Sequence, residues 1–310
     1  MNSSPKGVIA AVITPVDDRF YPDHERLVAR CRYLLANGCD GINLLGTTGE
    51  ATSFSLEQRL GIMRAVARSG LAMERFMVGT GAASVSDAVT LSRHAGELGF
   101  SAALLLPPFY YKPVSEDGLI RFVGAVVSAT AGPELPVFLY NFPAQTGITY
   151  TVGITSALLA HFGTRIAGLK DSSGDIAYAE NIAALAAHLK VFPSNEAVLL
   201  RAREEGIFAG CISATANINH ADCALAYHSG DTRALTRAIA IRTAFSGLPL
   251  VPGIKQTLAD QYADPVLANV VPPLSPLASA EAALLRVRLQ SAQQVCDADA
   301  SGHADHGASS

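Results

Sequence analysis

Charge is scarce in this chain: Asp, Glu, Lys and Arg make up 16% of its 310 residues, and the formal net charge is -4. No long basic run offers the counterion release that drives nucleic-acid binding, and none suits an anionic lipid surface. Cysteine is scarce too. Cys31, Cys39, Cys211, Cys223 and Cys296 are odd in number and form no Cys-x-x-Cys pair. That usage excludes a disulfide framework and fits small core residues in a reducing cytosol. The eight histidines are scattered as well, so no metal site is expected. No apolar run reaches the roughly 20 residues of a membrane span. Residues 1–7 are polar and lack a signal peptide's apolar stretch. The expectation is a cytoplasmic protein with neither membrane nor nucleic-acid partner. No Gly-x-Gly-x-x-Gly follows the first apolar run and no Walker A motif occurs, which argues against a dinucleotide or a nucleotide triphosphate. No cofactor is expected.

Apolar residues, by contrast, are plentiful at 49%, enough for a large core. They fall in a rhythm. Short apolar runs at 8–13, 41–45, 76–79, 102–106, 137–140, 166–169, 191–193 and 210–214 are separated by helix-length amphipathic stretches. Eight strands alternating with helices predict a (β/α)8 TIM barrel of the α/β class. Gly38, Gly70, Gly99, Gly163 and Gly206 stand where helices would end, because glycine takes the left-handed C′ conformation without a Cβ clash. Ser55-Leu56-Glu57-Gln58 fits a capping box, and Ser84 fits a second cap. After residue 214 the strand signal stops. Stretches 221–248, 254–262 and 278–294 read as helices. The organisation expected is a barrel over 1–220, a C-terminal helical extension over 221–295 and a disordered tail over 296–310.

In a barrel the chemistry sits at the C-terminal ends of the strands. Four such ends carry reactive groups. Ile166-Ala167-Gly168-Leu169-Lys170 closes an apolar strand with an amine. Alternation puts Ile166, Gly168 and Lys170 on one face, with Gly168 leaving space beneath the ammonium. An amine removed from water is a nucleophile for a ketone. Taken alone, a strand-end lysine that snorkels to solvent is the commoner case. Phe138-Leu139-Tyr140-Asn141 ends with a phenol able to pass a proton. Gly46-Thr47-Thr48-Gly49-Glu50 is a turn whose amides can form an anion nest for a carboxylate. Pro107-Pro108-Phe109-Tyr110-Tyr111-Lys112-Pro113 is an aromatic loop at the mouth. Amine, phenol, nest and lid on one rim suit a 2-oxo acid.

These motifs, in this order, resemble the dihydrodipicolinate synthase and N-acetylneuraminate lyase superfamily over about residues 7–295. The resemblance implies a homotetramer, built as a dimer of dimers, and pyruvate bound as an imine. It implies Lys170 as the Schiff-base lysine and Tyr140 as the acid/base. It implies Thr47 and Thr48 at the pyruvate carboxylate, with Thr48 also in the proton relay. Tyr110, aligned through Lys112-Pro113, matches a relay tyrosine lent across a subunit interface, and Tyr111 stands beside it.

The departures bear on substrate. Lysine-pathway synthases of this superfamily carry an arginine after Tyr-Asn-x-Pro, which grips the second substrate's carboxylate. Here Gln145 stands at that place, and a neutral amide cannot form the bidentate ion pair. Sialic-acid lyases show Gly-x-Asp-Glu after the seventh strand, whereas this chain reads Ser194-Asn195-Glu196-Ala197. The remaining rim residues expected to bind substrate are Gln145, Ser172, Ser194, Asn195, Glu196, Ile212 and Ser213. They are mostly neutral and hydroxylated, which suits a polyol. Gly-Leu-Lys-Asp-Ser-Ser-Gly also resembles the 2-keto-3-deoxygluconate aldolase branch. The expected reaction is cleavage of a 2-keto-3-deoxy sugar acid to pyruvate and an aldehyde. A dehydratase on the same scaffold, dihydrodipicolinate synthase, and a non-catalytic keto-acid binder are the alternatives.

Overall fold

The computed structural model describes residues 5–132 and 134–294. Eight strands run parallel: β1 Gly7–Ala11, β2 Gly41–Leu44, β3 Phe76–Gly79, β4 Ala102–Leu105, β5 Val137–Asn141, β6 Ile166–Asp171, β7 Lys190–Pro193 and β8 Gly210–Ser213. From β1 to β7 each pairs with its sequence neighbours, and β8 returns to pair with β1. The seam between β7 and β8 carries a bond from the Ala209 N–H to the Val191 carbonyl, 2.9 Å. The barrel is thus nearly closed, as the strand rhythm predicts.

The pleat sorts side chains into two cores. Ile42, Leu44, Val78, Leu105 and Leu139 face the surrounding helices. Ile9, Ala11, Met77, Leu104, Phe138, Tyr140, Phe192 and Ile212 fill the lumen. Small TIM-type barrels stack such side chains in layers drawn from alternate strands. Carrying the strand registers round the tilted barrel gives an upper layer of Ala11, Gly79, Tyr140 and Ser194. Beneath it lie Asn43, Leu104, Lys170 and Ile212.

The β6 alternation departs from the simple expectation. Its register against β5 slips between Val137 and Phe138, so that Ile166 pairs with Val137 but Gly168 with Phe138. Ala167 is the extra residue of a bulge. Ile166 therefore packs in the outer core, while Gly168 and Lys170 take the lumen side. Nor does Gly168 leave a void under the amine. A Cβ there would lie 2.1 Å from the Phe138 ring and 2.3 Å from the Lys190 carbonyl.

Helix ends follow local chemistry. Ser55 and Gln58 form the reciprocal capping box before helix Leu56–Ala67, and Ser84 caps Val85–Glu97. The five helix-ending glycines all have positive φ. The C-terminal stretch differs from expectation in one respect. What reads as one helix over 221–248 is broken: Ala216–Ala224 passes through a π turn to a left-handed Gly230, and Thr232–Ala244 starts afresh on an Asp231 cap. Helices Leu250–Tyr262 and Ser279–Gln294 follow, burying Ile254, Leu258 and Leu285 in a third apolar cluster. The tail at 296–310, expected to be disordered, lies outside the described residues. Among the described residues, no helix is long and apolar enough to cross a membrane.

Candidate active site

Parallel pairing sets the site's central contact. Tyr140 and Lys170 are register partners on β5 and β6, both facing the lumen and each 4% exposed. The Lys170 ammonium donates to the Tyr140 hydroxyl at 3.3 Å and sits 4.3 Å from the centre of its ring, a cation–π distance. The Tyr140 hydroxyl in turn lies 3.0 Å from Thr47 Oγ1. Amine, phenol and hydroxyl form one hydrogen-bonded chain from the lumen to the rim. Among the described residues no carboxylate is in ion-pair distance of Lys170.

The outward neighbours hold that register. Asn141 donates to Asp171 Oδ1 at 2.8 Å and accepts the Tyr150 N–H at 3.1 Å. Asp171 also accepts from the Ser173 amide and hydroxyl. Burial pushes the Asp171 carboxyl above its ordinary value, against the opposing pull of those hydrogen bonds. Asn141 and Asp171 thus latch β5 to β6 from outside while Tyr140 and Lys170 meet inside.

The Gly46–Glu50 turn is held at both ends by left-handed residues, Leu45 at φ 53° and Glu50 at φ 54°. Side chains disfavour that region, so the surroundings must impose it. Gly79 is one cause: a Cβ there would lie 1.9 Å from the Leu45 carbonyl. Glu50 is another. Its carboxylate accepts the Val271 N–H at 2.7 Å and is ion-paired with Lys255, both side chains being fully buried. Lys255 also donates to the Asn269 carbonyl at 2.7 Å. This ties the turn to the C-terminal helices. Sequence reasoning placed Glu50 in the motif without a role and passed over Lys255. Its only signal was a lone lysine in an apolar helix.

Thr47 is exposed at the turn, while Thr48 is buried. Ile212 shares the Lys170 layer, and Ser194 follows β7 with its N–H bonded to the Asp171 carbonyl, 2.9 Å. Ser172 is half-buried at the rim, its N–H bonded to the Asn141 carbonyl, 2.8 Å. Gln145 is exposed on the short helix Pro143–Thr146. Asn195 caps the next turn through the Ala197 N–H. Tyr110 and Tyr111 stack edge to face, 74% and 81% exposed, away from the Lys170 chain.

Glu196 and Ser213 are not brought to Lys170. The Glu196 carboxylate is wholly buried and accepts from Ser213, Thr215, Asn219 and Arg242. Ser213 lies on the outer face of β8. Alternation alone gave that parity, and the network binds the barrel to helix Thr232–Ala244.

Thr47, Gly79, Leu104 and Tyr140 line a small cavity of about 30 Å³, large enough to admit water. A larger cleft of about 460 Å³ opens at the other barrel end between Lys190 and Phe208, the face where barrels carry stability rather than chemistry. Cys31, Cys39, Cys211 and Cys223 are buried and unbridged, and burial pushes the Cys31 and Cys39 thiols up to about 12. Cys296 lies outside the described residues. Among the described residues no group of three His, Cys, Asp or Glu side chains could hold a metal ion. The arrangement can deliver a buried amine to a carbonyl carbon and move protons along a phenol–hydroxyl chain.

The chain is similar to known proteins over most of its length. The model of the dihydrodipicolinate synthetase family matches residues 4–282. An uncharacterized DapA-like lyase of Chloroflexus aurantiacus is 33% identical over 92% of this chain and 96% of its own length. The crystal structure of dihydrodipicolinate synthase from Agrobacterium tumefaciens superposes with a TM-score of 0.85 at 27% identity, covering 93% of this chain and 99% of that one. YagE, a prophage protein from E. coli K12 solved in complex with pyruvate, gives 0.83 at 27% identity over 93% and 98%.

Proposed function

The chain belongs to the dihydrodipicolinate synthetase family of class I pyruvate-dependent lyases, and we propose that Lys170 forms an imine with the keto carbon of a 2-oxo acid. The observation that carries this is the Lys170–Tyr140–Thr47 chain: a buried amine with a proton carrier at 3.3 Å and, among the described residues, no counter-ion at ion-pair distance. The pyruvate complex of a structural relative supports the same substrate half.

The steps follow from the positions. The Lys170 amine attacks the keto carbon, and Tyr140, bonded to Thr47, shuttles protons as water leaves. The Thr47-Thr48 turn, with its amides, receives the carboxylate. The protonated imine then draws electrons from the C3–C4 bond. Tyr140 or a bound water takes the proton of the C4 hydroxyl, the bond breaks, and the aldehyde leaves. The enamine is protonated and hydrolysed to pyruvate, freeing Lys170. The iminium does the polarising that a metal does elsewhere.

For the second half we favour a 2-keto-3-deoxy sugar acid, cleaved reversibly to pyruvate and an aldehyde. Gln145 supports this, since an exposed amide beside the mouth binds hydroxyls and cannot hold a carboxylate bidentately. Condensation of pyruvate with aspartate semialdehyde is the second reading, supported by the Agrobacterium synthase relative. The assembly proposed is a homotetramer in which the exposed Tyr110 completes the relay of a neighbouring subunit.

Borohydride reduction in the presence of pyruvate tests the imine. A reduced adduct on Lys170 is expected, and its absence in folded protein makes the chain a binder at most. Pyruvate release from a panel of keto-deoxy sugar acids, beside condensation with aspartate semialdehyde, tests the second half. Dominant condensation would overturn the weight given to Gln145.

A further inference from the structure

One lumen side chain has no place in the scheme above. Asn43 lies on β2, between Ala11 and Met77 in register, and is wholly buried. Among the described residues, neither its amide nitrogen nor its amide oxygen has a hydrogen-bond partner. An amide in that state is costly, and an apolar residue of similar size avoids the cost. The rest of the strand, Gly41-Ile42-Leu44, is apolar. The register places Asn43 in the same lumen layer as Lys170, on β2, the strand opposite β6. Leu104 and Ile212 are the other members of that layer. Its nitrogen points up under the turn, 2.6 Å from where a Cβ on Gly46 would stand. Above that turn residue, Thr47 and Tyr140 line the small cavity that admits water.

We propose that Asn43 is a positioning residue for the water exchanged at the imine carbon, an assignment that rests on Lys170 forming the imine. Imine formation releases one water, made of the ketone oxygen and both hydrogens of the amine. Hydrolysis returns one water to the same carbon. That water needs an acceptor and a donor inside an otherwise apolar layer, and the Asn43 amide offers both. Its amide stands in the lumen layer of Lys170, both hydrogen-bonding atoms without a partner among the described residues.

The test is the exchange of oxygen-18 from solvent water into the keto group of pyruvate, catalysed by the wild type, Asn43→Leu, Asn43→Val and Asn43→Ser. Borohydride adducts are measured on the same samples. The two apolar variants are expected to exchange at least ~10-fold more slowly. They should unfold at a higher Tm, since an unsatisfied amide has been removed. Serine, which keeps a hydroxyl and leaves room for a second water, is expected to restore most of the rate. If wild type and apolar variants exchange within twofold of one another while all form the adduct, the assignment of Asn43 is wrong and the imine stands. If serine falls as far as leucine, shape rather than hydrogen bonding is responsible and the proposal is overturned. If the wild type forms no adduct, the imine reading fails first and this one with it.

Discussion

Two buried lysines stand at either side of one turn, and their surroundings could hardly differ more. Lys255 is fully buried, ion-paired with Glu50 and bonded to the Asn269 carbonyl. Lys170 is 4% exposed and meets a phenol and the face of its ring. Residues 46–50 reach both, Thr47 through Tyr140 and Glu50 directly. Burial pulls the Lys255 amine below its ordinary value, and the Glu50 charge pulls the other way. A charged amine with a carboxylate and a carbonyl is fixed as a strut. An amine whose partners are a hydroxyl and a ring face lacks that lock. Burial alone does not set a lysine's role; its partners do.

The comparison breaks most sharply if the two lysines are exchanged in consequence. Lys170→Met should lower lyase turnover by at least ~10³-fold and abolish the borohydride adduct, with Tm unchanged or raised. Glu50→Leu should do the reverse, destabilising the fold by about 3–5 kcal/mol in urea unfolding, because a buried charge loses its partner. The double variant Glu50→Leu, Lys255→Met should recover most of that loss, since a buried pair replaced by apolar side chains is often neutral. A double variant as unstable as the single one would show that the strut's value lies in the Val271 hydrogen bond instead. Tyr140→Phe is the next step down. It keeps the ring under the ammonium and removes the proton carrier, so kcat should fall about 10²-fold while the adduct still forms. A full loss of adduct would give the hydroxyl a structural role in holding Lys170.

Much of this molecule is written in local pattern. All eight strands were legible because each is a short apolar run set off by helix-length stretches, and β3 falls on the expected residues 76–79. Lys170 and Tyr140 stood out as candidates because strand ends are where barrels place chemistry. What could not be read depends on partners distant in sequence. The bulge at Ala167 is a slip between β6 and β5, so Ile166 points the other way from its pattern. Glu196 looked like a rim group until the helix Thr232–Ala244 brought Arg242 to it. The 221–248 helix broke at Gly230, a signal present in the sequence but outweighed by apolar periodicity. Asn43 was visible as one polar residue in an apolar strand. Its meaning needed the register that sets it level with Lys170.

A third buried base sharpens the comparison further. His220 is 8% exposed, packed edge-on against Tyr33 at 5.3 Å. Burial first, and the Arg30 charge second, lower it from 6.5 to about 4. Where Lys255 answers burial with a counter-ion, His220 answers it by staying neutral. The sign of the pH effect follows. The folded value lies below the unfolded one, so as pH falls the unfolded chain takes the proton first. Stability from this group is complete above about pH 6.5 and is lost as pH falls toward 4. The loss between pH 7.5 and pH 5 should be about 2 kcal/mol. His220→Asn removes the titration, so its urea midpoint should fall less than that of the wild type over the same interval. Equal falls would mean that another group governs the acid limb, and that His220 can accept its proton in place.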